Sequence, residues 1–322
     1  MGSNPCQSAS NVRMNEIILL SELRARGLDH PEIRHLVRTG ELERIRRGAY
    51  SRRTVDASIE QRHRRLISAI TAFLGDGAAI SHGSAAVMHG LPVWRSSIAR
   101  IHATRSRSYG GRRRKNLHVH PAPLVEDDTV IVDGVLTTSL ARTVLDLSRT
   151  IPLAQAVAAG DRALATGLTD ADLSVVLARM ERWPGVRRAR VAASMLDARS
   201  ESPGESFSRV ELVRQGLPQP QLQVEILDRR GGVIGRGDFG WDEHRTIGEF
   251  DGRIKYGRLL RPGEAVEDVV YAEKLREDAI RDEGWQVVRW TWSDLKQPDV
   301  LADRIRRAFE RSAGGRASGP HA

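Results

Sequence analysis

Arg236 to Lys255 reads RGDFGWDEHRTIGEFDGRIK, and its acids fall at spacings that could do chemistry. Val233 to Trp241 and Thr246 to Phe250 are short β-branched and aromatic runs separated by the polar tetrad Asp242-Glu243-His244-Arg245, the pattern of a β-hairpin with a four-residue loop. With that loop Trp241 pairs with Thr246. Counting back along both arms then sets Asp238 opposite Glu249, where cross-strand Cβ atoms share a face roughly 5 Å apart. Two carboxylates so placed repel one another unless something neutralises them, and a hard divalent cation held by their oxygens does so. Asp251 points to the same face by strand periodicity, as does Lys255 if the strand runs that far.

The chain holds 50 lysines plus arginines, yet Lys115, Lys255, Lys274 and Lys296 are the only lysines. Arginine is the default base, so a retained lysine suits a task that arginine cannot perform. An ammonium can give up its proton when its surroundings depress its pKa, whereas a guanidinium effectively cannot. A solvated charge after a turn is the plain alternative for Lys255. The elements that must position these groups follow from the flanking sequence. Ser202-Pro203-Gly204-Glu205 opens a helix with proline at its first position and an acid at its third. Glu205 is therefore either a capping acid or a further ligand. Glu273 to Glu283 is a charged helix closed by Gly284, and Trp285 to Thr291 a late strand.

These residues resemble the PD-(D/E)XK nuclease superfamily, and within it the group similar to very-short-patch-repair endonucleases. The likeness is carried by Glu205 in ESPGESFSR, Gly216-Leu217-Pro218 and Pro220, Asp238 in GDFGW, Glu249 and Asp251 in GEFDG, Arg276 and Arg281 in EKLREDAIRDEGW, and VVRWTWSDL from Val287 to Leu295. It covers residues 202–307, with the blocks in order. It implies a restriction-endonuclease-like α/β domain that hydrolyses DNA phosphodiesters with Mg²⁺ held by Asp238, Glu249 and Asp251, Glu205 assisting. Where the superfamily name asks for lysine, two residues past the second acid, this chain has Asp251; Lys255 or Lys274 would stand in.

At 322 residues the chain has room for two or three domains. A formal charge of +9 suits a polyanionic partner, although a genome that favours arginine codons would also produce it. The single cysteine, Cys6, excludes an internal disulfide and a thiolate metal cage. No run approaches the roughly 20 apolar residues of a membrane span, and no signal-peptide core is present, so a soluble cytoplasmic protein is expected.

From Asn15 to Arg26 apolar residues recur at helical spacing up to Gly27, and Asp29 with Glu32 forms a capping box that opens a second helix closing at Gly40. LERIRRGAYS then alternates basic and apolar residues through Gly48, giving the outline of a winged helix-turn-helix. Residues 1–65 carry a surplus of five arginines over acids. Arg34 and Arg38 lie on the polar face of the second helix, and Arg44, Arg46 and Arg47 on the wing. A small helical interaction domain with a solvated basic face is the alternative. GLDHPEIRHLVRTGELERIRRGAY resembles the N-terminal domain of the AbiEi antitoxins of type IV toxin–antitoxin systems. That resemblance implies binding to double-stranded operator DNA, repression of the domain's own operon and a toxin partner resembling a nucleotidyltransferase.

Residues 59–199 mix helical and strand-like runs, an α+β pattern that continues the AbiEi likeness through ISHGSAAVMHGLP and VDGVLTTSLARTVLDLSR. Arg105 to Lys115 holds six basic residues, among them Arg112, Arg113 and Arg114, and suits either a phosphate-contacting arm or a solvated hairpin tip. His118 and His120 share a strand face, but no Cys or His at metal-site spacing accompanies them, so packing or solvent contacts account for these histidines and for His82, His89 and His102. The expected architecture is multidomain α/β (α+β): 1–12 disordered, 13–58 winged helix, 59–199 middle domain, 202–310 nuclease-like domain and 311–322 a disordered tail. The expected function is a DNA-binding regulator carrying a Mg²⁺-dependent endonuclease; the alternative is a non-enzymatic repressor or antitoxin with an inert nuclease-like module.

Overall fold

The computed structural model describes residues 17–52, 58–71, 73–75, 77–106, 111–113, 116–252 and 266–317. In chain order the elements are β1 (Ile17–Leu19), α1 (Leu20–Ala25), α2 (His30–Thr39), β2 (Leu42–Arg46), β3 (Ala49–Arg52), α3 (Ile59–Thr71), β4 (Ala78–Ile80), α4 (His82–Met88), β5 (Ile101–Arg105), β6 (Arg112–Arg113), β7 (Leu117–Pro121), β8 (Thr129–Val132), β9 (Val135–Thr138), α5 (Leu140–Thr150), α6 (Leu153–Leu164), α7 (Asp170–Arg179), α8 (Val186–Ala193), α9 (Pro203–Arg214), β10 (Gln221–Leu227), β11 (Val233–Trp241), β12 (Thr246–Asp251), α10 (Val266–Asp282), β13 (Gln286–Thr291) and α11 (Pro298–Ala317). They fall into two compact units, residues 1–147 with 173–179, and residues 148–172 with 180–322. The whole is a mixed α/β multidomain protein.

In the first unit, β1, β3 and β2 form a three-stranded sheet beside α1 and α2. The capping box at Asp29 forms as expected: Glu32 N–H donates to Asp29 Oδ1 at 2.8 Å, and Asp29 N–H to Glu32 Oε2 at 2.8 Å. Gly40 ends α2 in the left-handed region at φ 82°, which glycine adopts without steric cost. Leu23, Ile33, Leu42 and Tyr50 make the small core. The helix expected from Asn15 to Arg26 is shorter. Its described part begins with a strand, because Ile17 and Ile18 are β-branched and pair with Ser51 and Tyr50 of β3, leaving only Leu20–Ala25 helical.

The remainder of this unit is a six-stranded sheet of order β6-β7-β5-β4-β9-β8. Ile67, Ile80, Ile101, Ala103 and Val135 pack between it and α3 and α4. Strands β4 and β9 are not among the expected runs, since the three or four residues of each carry no legible alternation.

In the second unit, β10, β11, β12 and β13 form a sheet in that order. The first three strands are antiparallel, and β12 and β13 run parallel across the α10 crossover. Leu212, Phe239, Trp241, Phe250, Trp290, Leu301 and Ile305 make one core with α9 and α11, while Ile226, Ile247, Ile280 and Trp285 make the other with α10. Buried indoles keep hydrogen-bond partners: Trp290 Nε1 donates to Ser208 Oγ and Trp241 Nε1 to the Pro218 carbonyl, both at 2.8 Å. Gly248 is required where it stands, because a Cβ there would lie 2.4 Å from the Trp290 ring. Helix α11 extends past residue 311 to Ala317, held by buried Ser312 and by Arg311, which donates to Gln286 Oε1 at 3.1 Å.

Candidate functional site

Helix α2 presents Arg34 and Arg38 to solvent, opposite buried Ile33. The hairpin of β2 and β3 turns at Arg47-Gly48 and exposes Arg44, Arg47 and Arg52. Arg46 differs from its neighbours. The pairing shifts between Arg44 and Arg46, and this turns the Arg46 side chain inward. Its guanidinium stacks 4.5 Å from the Phe73 ring centroid and donates to the Ala69 carbonyl at 3.5 Å. Alternation of basic and apolar residues could not show that irregularity. Arg112 and Arg113 form the edge strand β6, paired with Val119 and His118 of β7, and Arg113 is exposed. Arg114 lies outside the described residues.

In the second unit Trp241 pairs with Thr246, as the four-residue loop requires. The same register runs back through Phe239 and Gly248 toward Asp238 and Glu249. Asp238 Oδ2 accepts the Phe250 N–H at 2.8 Å, so the acid holds its own hairpin together. Glu249 sits in a cage of side chains. Its Oε1 accepts from Arg276 Nη2 at 2.6 Å and its Oε2 from Arg289 Nε at 2.7 Å. Arg289 stands beside Glu249 because the parallel register of β12 and β13 pairs the two residues. Glu273 accepts from both arginines, and Glu277 accepts from Arg289 at 2.8 Å. The hydrogen bond to Glu273, then Glu249, raises the Arg276 pKa above its usual value despite burial. Burial acts to raise the Glu273 pKa, but the Arg276 hydrogen bond and both arginine charges outweigh it and leave the pKa lowered.

Glu205 is buried, with both carboxylate oxygens engaged at the start of α9. Its Oε1 accepts from Ser202 Oγ at 2.7 Å, and its Oε2 accepts from Glu201 N–H and Gln223 Nε2, each at 2.9 Å. Asp251 closes β12 half-buried, Lys274 is exposed on α10, and Lys255 lies outside the described residues. Glu249 and Glu205 do not fit Mg²⁺ as arranged. Both Glu249 oxygens carry guanidinium groups, and the Glu205 oxygens serve the helix start and Gln223. Sequence reasoning named Arg276, with substrate phosphates or Glu273 at helical spacing as its alternatives, and the Glu273 pairing forms. It missed Arg289 and the partner the two arginines share, since nothing in their spacing announces Glu249.

The described residues do bring another set of ligand-type groups together. One nitrogen each of His82, His102 and His120 lies within 4.8 Å of the others, the only such grouping of three or more His, Cys, Asp or Glu among those residues. His102 on β5 and His118 on β7 are register partners in a parallel pair, and His82 begins α4. Linear spacing, which offers His118 and His120 no Cys or His at metal-site spacing, could not reveal this grouping.

The N-terminal elements are those of a winged helix. Residues 11–53 match the family model described as "Transcriptional regulator, AbiEi antitoxin". Two uncharacterized proteins of Mycobacterium tuberculosis, Rv2248 of strain H37Rv and MT2308 of strain CDC 1551, are each 27% identical over 278 residues, covering 86% of this chain and 95% of theirs. The crystal structure of the RV2827C protein from M. tuberculosis aligns with a TM-score of 0.39 at 18% identity, over 60% of this chain and 74% of that one. Among the described residues, no helix is long and apolar enough to cross a membrane.

Proposed function

We propose that the protein is a DNA-binding transcriptional regulator of the AbiEi antitoxin kind. The observation that carries this reading is the match of residues 11–53 to the antitoxin model, on a winged helix whose exposed arginines line α2 and the wing. Arg34 and Arg38 on α2 are placed to reach guanine edges in a major groove, and Arg44 and Arg47 to contact phosphates. Arg112 and Arg113 would add charge from the edge of the second sheet. A nucleotidyltransferase-like toxin is the partner this kind of regulator implies. The C-terminal sheet then serves as an inert module, its Glu249 neutralised by arginine. The test is binding of the full chain to duplex DNA from upstream of its own gene, against unrelated duplex at several salt concentrations. Equal affinity for both duplexes would overturn operator recognition.

The hairpin register favours a second reading, Mg²⁺-dependent phosphodiester hydrolysis at Asp238 and Glu249. For that reading Glu249 must exchange Arg276 and Arg289 for a cation. Incubation of supercoiled plasmid with the protein, with and without Mg²⁺ or Mn²⁺, decides between them: metal-dependent nicking supports hydrolysis, and intact plasmid supports the inert module.

A further inference from the structure

We propose that His82, His102 and His120 form a binding site for one divalent transition-metal ion, Zn²⁺ being the ion whose chemistry the donor set fits. The site is built by the parallel pairing of β5 and β7. His102 and His118 are register partners, as are Thr104 and His120, so strand periodicity puts His102, His118 and His120 on one face of the sheet. The buried first residue of α4, His82, closes over that face. The rings of His82 and His120 stack with centroids 3.8 Å apart, and His102 Nδ1 lies 2.9 Å from His120 Nε2.

A hydrogen bond between two neutral imidazoles accounts for the His102–His120 contact. His82 holds a left-handed backbone at φ 51°, a conformation that costs a non-glycine residue free energy and that recurs where a side chain must be aimed. Its Nδ1 lies 3.0 Å from Ser81 Oγ, the kind of contact that orients a ligating imidazole through its other nitrogen.

The donor chemistry selects the ion. Three imidazoles without a thiolate or a carboxylate suit Zn²⁺ and its neighbours in the first transition row, and leave a fourth position open. Hard ions such as Mg²⁺ prefer oxygen. Protons do not compete at neutral pH, because burial, then neighbouring positive groups, lower the His102 pKa to about 4 and the His120 pKa to about 2. Arg100 and Arg113 repel positive charge here while Asp146 attracts it. Affinity must therefore come from coordination bonds rather than from the surrounding field. This requirement again favours a transition metal over Mg²⁺.

The experiment uses the full chain, stripped with chelator and titrated with Co²⁺, whose visible absorption reports nitrogen coordination, followed by displacement with Zn²⁺ and measurement of bound metal. One equivalent per chain, a tetrahedral Co²⁺ spectrum and no response to Mg²⁺ are expected. His120→Gln and His82→Gln should each weaken binding at least roughly tenfold, whereas His118→Gln, outside the triad, should keep the equivalent. A folded wild type that retains no Zn²⁺ after dialysis against micromolar metal would show that the rings are merely stacked, and overturns the proposal whether or not the variants fold. Undiminished binding in both triad variants overturns it as well.

Discussion

Arg276 Nη2 donates to Glu249 Oε1 at 2.6 Å while Arg289 takes the other oxygen at 2.7 Å, so this β12 carboxylate is held by positive charge. Carboxylate repulsion alone would make Glu249→Gln neutral or stabilising. The arginine cage reverses that sign. The Glu249 side chain is only 15% exposed, and the change leaves two guanidinium groups short of an anionic acceptor. A loss on the order of 1–3 kcal/mol is expected in urea unfolding. Lys274→Ala, at an exposed position on α10, the helix that carries Arg276, should stay within about 0.5 kcal/mol of the wild type. Equal midpoints for Glu249→Gln and wild type would show that the cage contributes nothing.

The hairpin was legible because its register depends on local pattern and loop length, both of which lie in a short stretch of sequence. Trp241 opposite Thr246 follows from counting. Arg289 beside Glu249 does not, since it depends on the parallel return of β13 after α10, some 40 residues later. The histidine triad failed for the same reason: His82, His102 and His120 come from three elements, and only the β5–β7 pairing joins two of them. At Gln223 the backbone takes φ 54°, so Leu222 packs in the α9–α11 core and Val224 against the α10 core, although period-two reading puts both on one face.

The wing arginines should separate by role. Arg44→Ala and Arg47→Ala remove exposed charges, and each should lower the slope of log affinity against log salt by up to about 0.9. Arg46→Ala removes a guanidinium stacked on Phe73, so it should leave the slope unchanged and cost about 0.5–1 kcal/mol of stability. A slope change in Arg46→Ala matching that of Arg47→Ala would place Arg46 on the DNA and contradict its inward packing. Fluorescence anisotropy across a salt series measures the slopes.

Asp197 to Gly204, which spans the expected boundary between residues 59–199 and 202–310, is tied to α6 within the second unit. Arg209 on α9 and Asp161 on α6 meet at 2.8 Å with side chains 2% and 0% exposed, and the Asp197 N–H donates to the other Asp161 oxygen at 2.8 Å. Asp161→Asn leaves the buried Arg209 without its counter-charge, for an expected loss of about 3–5 kcal/mol. For the same reason residues 202–322 expressed alone should aggregate or show no cooperative unfolding, whereas the same region in the full chain should unfold cooperatively. A stable, monomeric fragment with a sharp melting transition would show that the pair is dispensable.

His63 supplies a pH dependence whose sign can be worked out. The ring is buried under α4 with Nε2 2.8 Å from Ser84 Oγ, and burial lowers its pKa from about 6.5 to about 4. Between those values the unfolded chain binds the proton and the folded chain does not, so stability is fully present above pH 6.5 and falls as the pH drops toward 4. From pH 7.5 to pH 5 this one group removes about 2 kcal/mol. His63→Gln can keep the contact with Ser84 but cannot titrate, so it should lose correspondingly less over the same interval. The lowered pKa values of His89, His102, His118 and His120 add losses of the same sign to both proteins, and the His102 loss is the smaller in the variant because His63 is one of the groups that lower the His102 pKa. Urea unfolding of both proteins at the two pH values, in chelator to keep metal away, reads the difference. Parallel losses in the two proteins would mean that His63 already carries its proton in the fold or exchanges it without cost.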